Sequence, residues 1–311
     1  MTRRTRDIPL AAVLLLPALG VLGMFALYPM VHAIVLGLYR YPRGGMPEFA
    51  GPRNYLDLIQ DPAFTDSVLV TGYYAAGTIV PSMALSFVLA DALFRVKRLR
   101  SLLRTIFFLP YVTAVVASAL IWRTLFEPSS GVINALLGWA GIEGQAWLLE
   151  PRGVLNVLTG GWVDPSIGPS LALCCVIVFE IWRTTGFMTV LMLSGLASIP
   201  REYEEAARID GAGGWRIARH VTLPLLSPVL FFLGIVSLIG SLQAFSSIYA
   251  LTGGGSGPLN STRTLTVFIF ANFYEYQKIG YGSAAATLLC AGIALLTFVQ
   301  WRLTRRRVHY S

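Results

Sequence analysis

Six stretches of the chain stay apolar long enough to cross a hydrocarbon core of about 30 Å, which takes about 20 helical residues. They cover approximately 10–38, 67–94, 102–126, 170–197, 225–250 and 283–303. Each carries few or no charges, the mark of a segment solvated by lipid. A spanning backbone must satisfy its own hydrogen bonds, so each stretch predicts a helix. Pro17, Pro29, Pro81 and Pro110 lie inside these runs and predict kinks that neighbouring helices accommodate. The first run follows a basic start and continues almost unbroken to Leu38, too long for a cleaved leader. It predicts a retained signal anchor.

The linkers differ among themselves. Residues 40–66 hold Pro42, Pro47, Pro52 and Pro62. Residues 127–169 hold Trp139, Trp147 and Trp162, whose amphipathic rings suit a membrane interface. Within them, 153–163 is too short to span and contains Gly160 and Gly161, so it predicts an interfacial segment. Residues 251–282 open on the turn cluster Gly253-Gly254-Gly255-Ser256-Gly257-Pro258. The coarse organisation is 1–66 (tail, first span and loop), a five-span core at 67–303, and a basic tail at 304–311.

Composition agrees with that pattern. Apolar residues make up 55% of 311, charged residues 13%, and the mean hydropathy is +0.64. A soluble domain of this size needs about 25% charged residues to cover its surface. The net charge of +8 is the one feature that suggests nucleic acid. Its placement argues otherwise. Arg3, Arg4 and Arg6 precede the first run; Arg95, Lys97, Arg98, Arg100 and Arg104 separate the second and third. Arg201, Arg208, Arg216 and Arg219 follow the fourth, and Arg302, Arg305, Arg306 and Arg307 close the chain. The alternate linkers hold Glu48, Asp57, Asp61, Glu127, Glu143, Glu150 and Asp164 instead. This alternation follows the positive-inside rule and predicts a multi-pass protein of a bacterial-type cytoplasmic membrane with both termini in the cytoplasm.

Catalytic chemistry finds no foothold. Lys97 and Lys278 are the only lysines, and neither sits in a G-x-x-x-x-G-K-[ST] loop that could cradle ATP phosphates. There is no G-x-S-x-G elbow. His32, His220 and His309 show no metal spacing, and Cys174, Cys175 and Cys290 lie in apolar runs as small filler. No catalytic residue, metal or cofactor is expected, and energy must come from another polypeptide.

The informative segment is the polar linker 200–228, on the cytoplasmic side by the charge argument. Pro200 can open a helix because its missing N–H costs nothing in the first turn. Glu202, Glu204 and Glu205 then sit near the positive end of the helix dipole. Gly211, Gly213 and Gly214 turn the chain into a second short helix, 215–222, running up to Pro224. A small-residue surface flanked by charge suits insertion into a partner's cleft.

These residues resemble the EAA loop of ABC importer permeases: Glu205-Ala206-Ala207, then Asp210-Gly211-Ala212, then Val221, Leu223 and Pro224. The flanks Ile199-Pro200 and Thr222 to Pro228 are similar to the carbohydrate-uptake branch, as are Asn54-Tyr55, Trp122 to Phe126, Trp182 to Phe187 and Leu251 to Gly255. Together they cover roughly 54–258. The sequence departs from the pattern at Ala218, where many relatives place Phe, and in the longer turn Gly255–Pro258. The resemblance implies an all-α, six-helix type I permease bundle with cytoplasmic coupling helices. It implies Glu205, Ala206, Ala207, Asp210, Gly211, Ala212 and Pro224 as the ATPase-coupling surface. It also implies as partners ABC ATPase subunits that use the ATP, a second, non-identical permease, an extracytoplasmic solute-binding protein and a sugar. The alternatives are a permease for a non-sugar solute or an ATP-independent secondary transporter with the same number of spans.

Polar groups inside spans are the candidates for the solute pathway. Glu180 and Arg183 lie at i, i+3, share a helix face and can neutralise each other. With Arg183, the residues Trp182, Gln243, Ser247 and Tyr249 supply hydrogen-bonding groups and aromatic faces of the kind a sugar needs.

Overall fold

The computed structural model describes residues 7–42, 45–96 and 98–304, with side chains from Val13 to Leu303. The expectations resting on Arg3, Arg4, Arg6, Lys97 and the tail beyond Thr304 lie outside the described residues. In chain order the helices are α1 (Asp7–Leu22), α2 (Tyr28–Gly37), α3 (Arg53–Gln60), α4 (Pro62–Arg95), α5 (Arg100–Val112), α6 (Val115–Leu125), α7 (Val132–Trp139) and α8 (Val154–Leu158). They continue as α9 (Leu171–Ala197), α10 (Arg201–Ile209), α11 (Gly214–Ile217), α12 (Leu223–Leu225), α13 (Ser227–Leu242), α14 (Ser246–Leu251), α15 (Leu265–Phe270) and α16 (Ile279–Thr304). A two-residue antiparallel ladder joins Tyr39–Arg40 to Glu48–Phe49.

Four stretches are continuous apolar helices of spanning length: Val13–Gly37, Pro62–Arg95, Leu171–Ala197 and Ile279–Leu303. Two more are bent pairs, α5 with α6 at 94° and the Gly214–Leu225 stretch with α13 at 70°. The six expected runs are all helical, but two of them are not single rods.

The proline positions explain much of the difference. Pro17 and Pro81 are carried inside continuous helices. At Pro29 the ladder widens into a π turn, Gly23–Leu27, and the proline enters α2 in its first turn. The missing N–H is harmless there. Pro110 is followed within two residues by the end of α5, so the kink expected at Pro110 within 102–126 is a full break at Thr113-Ala114. Thr113 stabilises the corner by donating its hydroxyl to the Pro110 carbonyl at 2.8 Å. The expected span 225–250 is also corrected: α13 ends at Leu242, and the chain bends through Gln243, Ala244 and Phe245 before α14. Thr266 donates its hydroxyl to the Ala244 carbonyl that the break leaves unpaired. Irregular backbone at membrane depth survives where protein supplies such partners.

Two compact units emerge from the contacts, one formed by the described residues up to Thr65 with Phe268–Ala291, the other by Asp66–Val267 with the described residues from Gly292. In the first, the buried Asn54 donates to the carbonyls of Gly37 (2.8 Å) and Tyr39 (2.9 Å), tying α3 to the end of α2. In the second, one cluster gathers Tyr74, Ala119, Phe126, Leu173, Val176, Phe179, Ile248 and Leu251. Another gathers Ala90, Leu93, Met188, Met192, Leu196, Leu226 and Leu233. Both centre on α9, which crosses α5 so closely that a Cβ at Gly186 would collide with the Phe107 carbonyl oxygen.

Of the three tryptophans expected at an interface, Trp139 and Trp162 are exposed and Trp147 is not. Trp147 packs on Phe126 with centroids 5.8 Å apart and donates its indole N–H to Asn134 at 2.6 Å. Packing on Phe126 and a half-buried hydrogen-bond partner outweighed the interfacial preference. The 153–163 segment forms the short α8, then turns through Gly160 and Gly161 at positive φ.

Candidate functional sites: a polar limb and a cavity in the bundle

The limb between α9 and α13 forms from local signals. Pro200 is the N-cap of α10, Glu202 and Glu204 occupy its first turn, and Arg208 its last. Each charge complements the dipole end it occupies. The helix closes in a Schellman motif: Gly211 N–H donates to the Arg208 carbonyl at 3.0 Å and Ala212 N–H to the Ala207 carbonyl at 2.9 Å. Gly211 has φ +79° with open space around it, so its backbone angle, and not crowding, demands glycine.

The second helix corrects the expected 215–222. It begins at Gly214, passes through a π turn at Ala218–Thr222 and continues past Pro224 to Leu225. The π turn places Pro224 in the first turn of α12, where no N–H is required. Re-entry towards the apolar core therefore occurs two residues later, where the chain bends at the fully buried Leu226.

Every α10 side chain is at least partly exposed. Glu205, Ala206, Asp210 and Gly211 are open, Ala207, Ala212 and Pro224 half-buried. Sequence reasoning missed the large apolar groups on the same limb: Ile209 is 87% exposed, Trp215 73% and Tyr203 52%. Their signal was present, since bulky apolar side chains in an otherwise charged linker have no core to enter.

A second candidate lies inside the bundle. A cavity of about 130 Å³ is lined by Thr78 and Ile79 of α4, Tyr111 of α5, Glu180, Arg183, Thr184, Phe187 and Met188 of α9, and Val236, Ser237, Gly240 and Ser241 of α13. The expected Glu180–Arg183 pair is present, with Arg183 Nη2 to Glu180 Oε1 at 2.5 Å and Nε to Oε2 at 3.2 Å. Both side chains are largely buried. Arg183 also lies over the Tyr111 ring at 5.6 Å, and that ring stacks on Phe187 at 4.5 Å. Hydroxyl pairs complete the wall: Thr78 with Ser241 at 3.2 Å, and Ser82 with Thr184 at 3.3 Å. Tyr74, one turn before Thr78 and wholly buried, directs its hydroxyl towards Glu180 and Ser247 without bonding geometry to either.

Among the five pathway candidates read from sequence, Arg183 lines this cavity. Ser247 is buried beside Tyr74. Trp182 is turned away, against Trp122 (5.3 Å) and Phe179 (5.9 Å). Gln243 is exposed at the α13–α14 break, and Tyr249 stacks on Phe245 at 5.0 Å. The expected single helix 225–250 breaks between Gln243 and the Ser247–Tyr249 pair, which separates residues that the sequence placed on one span. Thr78, Ser82 and Ser86 at four-residue spacing, and Ser237 with Ser241, were the overlooked signal of polar stripes on apolar helices.

The chain is similar over most of its length to known proteins. The model of the binding-protein-dependent transport system inner membrane component matches residues 82–310. A probable ABC transporter permease protein of Pyrococcus horikoshii is 32% identical, covering 96% of this chain and 97% of its own. The lactose transport system permease of Rhizobium radiobacter is 32% identical over 94% and 92%. The trehalose/maltose transport system permease of Thermococcus litoralis is 32% identical over 97% and 96%. In fold, the chain superposes with a TM-score of 0.78 on a chain of a bacterial ABC transporter involved in import of the acidic polysaccharide alginate, at 22% identity with 98% of each chain covered. With its bent spans, polar limb and family match over most of its length, this chain belongs to the binding-protein-dependent transport system inner membrane components, the permease subunits of ABC transporters.

Proposed function

We propose that the chain is one of two non-identical permeases of an ATP-driven importer, and that it conducts a sugar or related polyol handed over by an extracytoplasmic binding protein. The observation that carries this reading is the polar limb α10–α12, its first helix opened by Pro200 and closed by a Schellman motif yet exposing Ile209, Trp215 and Tyr203. Exposed bulky groups on a rigid, charged strut fit the cleft of an ATPase subunit. Glu205, Ala206, Ala207, Asp210, Gly211 and Ala212 lie on the same strut, with Pro224 at its far end. The chain supplies no ATP site and no cofactor; partner subunits bind and hydrolyse the nucleotide. In this reading both termini and the limb face the cytoplasm, which the arginine distribution supports.

The solute passes the cavity bounded by Thr78, Tyr111, Arg183, Thr184, Ser237 and Ser241, where hydroxyls and an aromatic face match a polyhydroxylated ring. Ser247 supports the Tyr74–Glu180 side of that wall. Trp182, Gln243 and Tyr249 stand on sides that a partner permease would complete. The sugar assignment is supported by relatives that carry lactose, trehalose or maltose in their names.

The test is a screen of sugars, polyols and amino acids on the cognate binding protein, followed by uptake of the best binder in cells lacking this chain. Uptake of a sugar or polyol that needs both this chain and a functional ATPase is the expected result. Uptake independent of the ATPase would point to a secondary transporter, and an amino acid as the binder would remove the sugar assignment.

A further inference from the structure

At the ends of α4 and α9 farthest from the limb lies a cavity of about 260 Å³, twice the size of the one in the bundle. Three segments of the chain wall it: the first turns of α4, the loop before α9, and the turn that follows the glycine cluster 253–257. Asp66, Leu69, Val70 and Tyr73 line it at i, i+3, i+4 and i+7, which is one side of a helix. The loop is held by its own backbone: Gly153 N–H donates to the Pro165 carbonyl at 2.8 Å, and Leu171 N–H to the Arg152 carbonyl at 2.9 Å. Ser170 ties loop to turn by donating its hydroxyl to the Ser261 carbonyl at 3.3 Å. The walls are therefore fixed before any ligand arrives, as in most small-molecule sites.

Its chemistry is mixed in the way a sugar requires. Tyr73 brings an aromatic ring, half-buried against the core cluster that holds Phe126 and Phe179. Asp66 and Arg263 bring one carboxylate and one guanidinium, whose charges offset each other and leave the lining without a net charge to attract an ion. Ser166 and Asn260 stand exposed at the rim. Ser261 carries a hydroxyl that is closed off from solvent and finds no partner among the described residues. A buried hydroxyl left in that state is costly, and rotation about one side-chain bond turns it towards an occupant. The turn is also strained here: Leu259 and Asn260 hold φ of 50° and 61°, although neither is glycine. Strain of this kind persists only where the surroundings impose it, and binding sites are where it gathers.

Leu173 of this cavity and Glu180 of the bundle cavity lie two turns apart on one face of α9, about 10 Å at 1.5 Å per residue. Resting on the reading of the chain as a sugar or polyol permease, we infer that the outer cavity is a second solute subsite, which takes the ring of a neutral sugar before the bundle cavity does. Asp66, Arg263 and Ser261 bond its hydroxyls, and Tyr73 covers an apolar face of the ring. The offset charges of the lining disfavour a solute with a net charge of its own.

The experiment uses the full complex of this chain, its partner permease and the ATPase subunits in nanodiscs, without the binding protein. Ser166→Cys places a thiol at the rim, and its labelling by N-ethylmaleimide is read by mass spectrometry on the peptide carrying that position. Maltose, lactose, glucose and glycerol are the probes, with glutamate as the charged control. At least one of the sugars should slow labelling in a saturable way, and glutamate should not. In the same background, Tyr73→Ala and Asp66→Asn should each raise the half-protecting sugar concentration about tenfold, the loss expected for one apolar face or one charged hydrogen bond. Asp66 is exposed, so Asp66→Asn keeps the test open if Tyr73→Ala fails to fold. Unchanged protection in Asp66→Asn, or protection by glutamate as strong as by any sugar, would overturn the subsite. Sugar uptake by a complex that no probe protects would also overturn it, while leaving the permease reading intact. Protection by a sugar in a complex that transports only non-sugar solutes would keep the outer cavity as a sugar site and remove the sugar from the transport reading.

Discussion

Two acid–arginine pairs of the same chemistry lie on neighbouring helices and do different work. Glu180–Arg183 on α9 is largely enclosed, its side chains 10% and 19% exposed, with a ring over the guanidinium. Asp91–Arg95 at the end of α4 is 39% and 60% exposed and borders open space. Burial makes the first pair obligatory, since neither charge can be left alone away from water. Exposure makes the second cheap to break, since water can solvate either charge left alone. Location in the molecule, and not residue type, decides which pair the structure cannot lose and which it can.

The sharpest way to break this comparison is to remove one partner of each pair. Arg183→Ala should destabilise the chain by roughly 3–5 kcal/mol, because it strands Glu180 in the bundle. The double change Glu180→Ala with Arg183→Ala should recover much of that loss in thermal unfolding in detergent. Equal loss in the single and double variants would show that the enclosed pair is not the reason for the damage. Gly186→Ala tests the same region by shape, since its Cβ meets the Phe107 carbonyl oxygen. A cost of about 1–3 kcal/mol is expected from overpacking, read as a lower yield of folded protein.

Arg95→Ala should cost only about 0.2–1 kcal/mol in the same unfolding assay. A loss as large as that of Arg183→Ala would erase the distinction between the pairs. The smallest effect concerns the loop before α9. There, hydrogen bonding to Arg152 holds the Glu150 carboxyl below its ordinary range. A lowered folded value means that this contribution is present above the normal carboxylate range and fades as pH falls through the folded value. Acidification should therefore raise proteolysis at 150–153 in the parent chain and less so in Arg152→Ala, where the clasp is already gone.

The legible and illegible parts of the molecule divide along the same physical line. Helix existence was readable because lipid demands long uncharged runs, and the Glu180–Arg183 contact was readable from i, i+3 spacing alone. The polar limb was legible as a helix and turn through Pro200, the early glutamates and Gly211. The bend near Pro110 was legible as a kink, though not its depth as a break at Thr113-Ala114; the break at Gln243–Phe245 was not legible, because hydropathy records composition and not backbone continuity. Their stability comes from a Thr113 hydroxyl close by and a Thr266 hydroxyl from far along the chain. Much of the cavity lining went unread because the hydroxyls of Thr78, Ser237 and Ser241 sit singly in apolar runs, where composition does not mark them. Pro224 shows the same limit: a proline that reads as a stop is accommodated once a π turn precedes it.

The claim at the centre of this account is that the α10–α12 limb receives the work of ATP hydrolysis. Gly211→Asp tests it most directly, because a residue at φ +79° other than glycine strains the turn and adds charge to the strut without touching the apolar core. The measurement is ATP-driven uptake of the binding protein's solute into proteoliposomes holding the complete complex, with insertion checked in parallel. The account predicts normal insertion with uptake abolished or separated from ATP hydrolysis. Wild-type uptake by the inserted Gly211→Asp variant would contradict it.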